Sequence, residues 1–100
     1  MQVTNILEIV QRLDSFDDEA TIYAVEPWTD QSAAIIAYEP DEGGVPAEAA
    51  ALGMSYFIGV YTASEFLEGF VRYGDISGPG TPPYDWLKCA RLIIYAIYDA

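Results

Sequence analysis

Histidine is absent from the 100 residues, cysteine occurs once, and only four lysines and arginines stand against 16 aspartates and glutamates, giving a formal charge of -12. Each scarcity excludes a class of chemistry. Without histidine there is no Ser-His or Cys-His nucleophile, and one cysteine rules out an intramolecular disulfide and, with no histidine, any zinc site built from Cys and His. Cys89 alone points to a reducing compartment. No S-x-x-K occurs, and Gly78-Pro79-Gly80 lacks the Lys and following Ser or Thr of a phosphate loop. Four bases cannot build a phosphate-neutralising surface, so neither nucleic acid nor anionic membrane is an expected partner. Uninterrupted apolar runs stay far short of about 18 residues. The segment Met1 to Asn5 has neither the basic flank nor the apolar stretch of a secretory signal, so the expected location is cytoplasmic.

What is present is a core. Hydrophobic residues make up 52% of the chain and aromatics 14%, far from the composition of a disordered segment. A domain of this size buries roughly 60 to 70% of its unfolded-chain surface. No repeat, linker or low-complexity tract divides it, so residues 1–100 are read as a single domain.

Asn5, with Glu8 three residues on, fits a capping box, and Ile6, Ile9, Val10 and Leu13 then follow helical spacing. Thr21 to Val25 and Ala33 to Tyr38 have strand composition; the turn Pro27 to Asp30 between them makes the pair an antiparallel hairpin. Both faces of the second strand are apolar, which calls for a central position or for cover by a second copy of the chain. Pro46 starts a short Ala-rich helix ended by Gly53, and Met54 to Tyr61 is a third strand. Thr62 and Glu65 fit a capping box for a helix that buries Phe66, Leu67, Phe70 and Tyr73 and ends at Gly74. The Gly- and Pro-rich stretch from Asp75 to Pro83 reads as a loop. In the last helix Trp86, Ala90, Ile93 and Ile97 are the expected buried row, opposite Asp85, Lys88, Arg91, Tyr95 and Asp99. Gly59 and Gly69, inside elements, suggest close packing by a neighbour. The expected fold is α+β, a three-stranded, largely antiparallel sheet with helices on one face, in the order α-β-β-(short α)-β-α-α.

Charge is unevenly distributed. Residues 1 to 50 hold eleven acids and one base, residues 51 to 100 five acids and three bases, and the stretch from Asp14 to Glu48 has ten acids and no base. If the hairpin forms, Asp14, Asp17, Asp18 and Glu19 before its first strand meet Glu39, Asp41 and Glu42 after its second. Such a surface would dock a basic protein, raising on-rate and selectivity. A solvated face serving solubility alone is the plainer alternative. Weak divalent-cation binding is a third, but the pattern D-x-[DN]-x-[DN]-G is absent, so no metal site or cofactor is assigned. Trp28, Tyr84, Tyr95 and Tyr98 are candidate aromatic interface residues, since Tyr and Trp give large contact area for few rotatable bonds. Cys89, flanked by Lys88 and Arg91, is either an activated thiol or a packed one, the packed form being preferred.

The segments Ile22-Tyr23-Ala24 with Pro27-Trp28, Tyr56-Phe57 running into Glu65-Phe66-Leu67-Glu68, and Arg91-Leu92-Ile93 to Asp99-Ala100 resemble a group of small acidic bacterial proteins of unknown function. That resemblance implies a bacterial single-domain protein and no catalytic site. The expectation is a non-enzymatic protein-binding module of inhibitor, immunity or adaptor type. Its alternative is a structural homodimer whose acid serves solubility only.

Overall fold

The computed structural model describes residues 3–72 and 84–99. A two-residue strand, β1 (Thr4–Asn5), runs directly into helix α1 (Ile6–Gln11), because Asn5 has extended backbone and its side-chain oxygen accepts the Glu8 N–H at 2.8 Å. The Glu8 carboxylate takes the Thr4 hydroxyl. A single 3-10 turn (Leu13–Ser15) follows, and Ile6, Ile9, Val10 and Leu13 are buried as their spacing predicts. Strands β2 (Thr21–Ala24) and β3 (Ala33–Ala37) form the expected antiparallel hairpin, with a cis Glu26–Pro27 bond in their connection. Helix α2 (Ala47–Ala51), strand β4 (Ser55–Gly59) and helices α3 (Val60–Arg72) and α4 (Tyr84–Asp99) complete the order.

The class is α+β, but the sheet has four antiparallel strands, not three, ordered β1-β3-β2-β4. The extra strand escapes the sequence because Asn5 serves both as a strand residue and as the helix cap. Helices α1, α3 and α4 pack with Ile22, Ala24, Ala34, Phe57 and Ile58 in the main core. The opposite face has its own small core, in which Ala49 of α2 and Met54 cover Tyr23, Ile35 and Ala37, so helices lie on both faces. Both apolar faces of β3 are thus covered within one chain, with β1 and β2 as its flanking strands.

A register shift between Ile22 and Tyr23 sets Ile58 opposite Ile22 and Tyr56 opposite Tyr23, leaving Phe57 as the extra residue of a β-bulge. The bulge lets consecutive residues Phe57 and Ile58 join the same core. Helix α2 ends in a Schellman motif: the Met54 N–H donates to Ala49 O and the Gly53 N–H to Ala50 O, both at 3.0 Å, with Gly53 at φ +73°. Helix α3 begins at Val60, straight off β4, so Thr62 and Glu65 lie inside it and Thr62 is not its cap. A Cβ at Gly59 would meet only Thr62 Oγ1 at 3.9 Å, an ordinary contact, so close packing does not explain that glycine.

The buried row of α4 is Cys89, Leu92, Ile93 and Ala96, while Ile97 is exposed and Tyr95 half-buried. The expected row was rotated because the helix has more apolar positions than one face can bury. The expectations for Tyr73, Gly74 and the loop 75–83, and those for the side chains of Gly69, Phe70, Asp85, Trp86 and Asp99, lie outside the described residues.

Candidate functional site

Antiparallel pairing sets the geometry of the acidic end. Thr21 pairs with Ala37 on one side and Gly59 on the other, so the segment before β2, the segment after β3 and the start of α3 all emerge together. The Val60 N–H donates to Ala20 O at 3.0 Å and closes the junction. Asp17 locks the two acidic segments to each other: one carboxylate oxygen accepts the Glu19 N–H at 2.9 Å, and the other accepts the Tyr38 hydroxyl at 2.8 Å. The Glu19 N–H, and then the Tyr38 hydroxyl, hold the Asp17 carboxyl below the usual carboxylate range, while the same bond raises the Tyr38 phenol.

Asp17, Asp18, Glu19, Glu39, Asp41 and Glu42 are all exposed around this junction, the last two on a turn closed by the Gly43 N–H to Pro40 O bond at 2.8 Å. Asp14 is also exposed, but it belongs to the helical layer, where it lines a cavity between α1, α3 and α4. At the other end of the hairpin Glu26 accepts the Ser55 hydroxyl at 2.9 Å.

The aromatic candidates separate. Trp28 is half-buried, edge-on to Phe57 with ring centroids 4.9 Å apart, and its indole N–H reaches Ala24 O at 3.4 Å, so much of its ring serves the core. Tyr95 stacks on Phe66 at 4.4 Å. Tyr98 is 84% exposed. The Tyr84 side chain lies outside the described residues. Sequence reasoning missed Tyr38 and Tyr61, 59% and 55% exposed, each within two residues of the Ala37-Thr21-Gly59 row. Tyr38 sits just past the last paired residue of β3, and Tyr61 follows the buried Val60 in the first turn of α3.

Cys89 is fully buried, and burial, followed by the nearby Asp30 charge, pushes its thiol up to about 12. Lys88 and Arg91 therefore do not activate it; it is a packed thiol. Among the described residues no three Asp, Glu or Cys side chains are grouped to hold a metal ion, and no helix is long and apolar enough to cross a membrane. No protein-family model, no curated protein and no solved structure matches the chain.

Proposed function

We propose that this chain is a non-enzymatic binding module that docks a basic protein through the acidic hairpin end. The observation carrying this reading is the junction itself: six exposed carboxylates from two segments held together by the Asp17–Tyr38 bond, beside the exposed rings of Tyr38 and Tyr61. Like charges gathered on a fixed scaffold steer a cationic partner, and neighbouring tyrosines offer the contact area that turns an encounter into a complex. An inhibitor, immunity or adaptor role in a bacterial cytoplasm is the concrete form of this proposal.

The test is affinity capture with the wild-type chain and with a variant carrying Asp17→Asn, Asp18→Asn, Asp41→Asn and Glu42→Gln. Each amide keeps the size of its carboxylate and one acceptor oxygen, so the Asp17→Asn side chain can still accept the Glu19 N–H and retain the turn, while its new NH2 meets the Tyr38 hydroxyl only as a donor. A basic protein should be captured by the wild type, lost in the variant and released by about 0.5 M salt, where screening shortens the Debye length to a few ångström. Capture unchanged by both would refute the proposal.

A homodimer is a second reading, and a specific surface favours it. With β3 covered within the chain, that surface is the exposed row of Ile94, Ile97 and Tyr98 on α4, at i, i+3 and i+4. Light scattering at high micromolar concentration should then give twice the chain mass, and Ile94→Glu should restore the monomer. A monomeric wild type discards this reading.

A further inference from the structure

A cavity of about 520 Å³ lies between the end of α1 with its 3-10 turn, the middle of α3 and the first half of α4. Its floor is apolar, made by Val10, Leu13 and Leu67, each at most 7% exposed. Its rim is ionic, with Asp14 from the first wall, Glu68 from the second and Lys88 from the third. The volume falls within the roughly 300 to 1,000 Å³ of small-molecule sites, and an apolar floor with a few convergent polar groups is their usual construction.

We propose that this cavity, separate from the hairpin end, binds a small organic cation: an ammonium or guanidinium group carried on an apolar body. The charged side chains lining the cavity, two carboxylates and one ammonium, sum to a formal -1. The chain's overall charge of -12 adds attraction of the same sign. An anionic ligand meets an unfavourable field at the rim and over the whole molecule. A neutral one uses the floor alone. A cation with an apolar tail uses both, placing its tail over Val10, Leu13 and Leu67 and its head between Asp14 and Glu68.

The experiment is an NMR titration of the full chain with phenethylammonium, with 2-phenylethanol and 3-phenylpropionate as neutral and anionic controls and ammonium chloride as the control for charge alone. The proposal expects saturable shifts confined to residues 10–14, 64–68 and the start of α4, tighter for phenethylammonium than for any control. Asp14→Asn with Glu68→Gln should weaken binding several-fold, while Asp41→Asn with Glu42→Gln, which removes the same charge elsewhere, should leave it within twofold. Filling the cavity by Ser64→Trp, or by Gln11→Trp should the first variant not fold, should abolish the shifts, since both residues line it. Equal binding of the alcohol, equal loss in the two charge variants, or binding that survives a folded cavity-filling variant would each overturn the proposal.

Discussion

Asp17 and Tyr38 form a hydrogen bond across twenty-one positions of sequence, and it ties the two acidic segments together. Its titration has a defined sign. The Asp17 pKa is depressed in the fold, so its contribution to stability is present above the ordinary value of 3.8 and is lost as pH falls through the lower folded value. The Tyr38 pKa is raised, so its contribution holds below 10.0 and is lost as pH rises through the higher folded value. Both groups are exposed, and solvent keeps either effect small. Tyr38→Phe should move the Asp17 pKa only part of the way back, because the Glu19 N–H remains as its stronger donor; a carboxyl-detected NMR titration measures this. Tyr23 presents the opposite case. It is fully buried, and burial raises its phenol; the hydroxyl lies near Thr21 but reaches no hydrogen-bond partner among the described residues. An unmade buried hydrogen bond costs about 1 to 3 kcal/mol. Tyr23→Phe should therefore leave stability unchanged or raise it by about 1 kcal/mol in urea denaturation.

The elements depend on a few backbone devices. The bulge at Phe57 sends two successive side chains into the main core, so Phe57→Ala should cost about 3 to 5 kcal/mol, as a large cavity does, while Tyr56→Ala, at a side chain 49% exposed, should cost far less. Gly53 holds a left-handed conformation in open space, so Gly53→Ala should cost about 1 kcal/mol through backbone strain alone, with hydrogen exchange speeding up locally over residues 47–54. At this scale the sequence is readable where one pattern dominates. Isoleucine and tyrosine in β2 and isoleucine in β3 placed the hairpin, and Pro46 with Gly53 bracketed α2. It is unreadable where patterns overlap. In α4, Leu87, Cys89, Ala90, Leu92, Ile93, Ile94, Ala96 and Ile97 support more than one apolar stripe, and only packing against α1 and α3 selects Cys89, Leu92, Ile93 and Ala96. The bulge leaves no mark in composition, so Tyr56 and Phe57 looked alike as strand aromatics until the register separated them.

On the scale of the whole molecule, charge is the organising quantity. Antiparallel pairing converts the stretch of ten acids into a local surface, and that consequence was legible from strand order alone. The place of Asp14 was not, because it depends on how the 3-10 turn meets α3, a tertiary contact that spacing does not encode. Since like charges at the junction repel one another, a variant with Asp18→Asn, Asp41→Asn and Glu42→Gln that keeps the stabilising Asp17 carboxylate should melt higher than the wild type in low salt, and the difference should shrink as salt is added. The most direct test of the docking proposal is the association rate of the captured basic partner with wild-type chain and four-amide variant, measured across a salt series by surface plasmon resonance. Steering through the acidic end predicts a fast wild-type on-rate that falls steeply with salt, and a slower variant on-rate with a much flatter salt dependence. Identical on-rates and identical salt slopes for the two chains would contradict it.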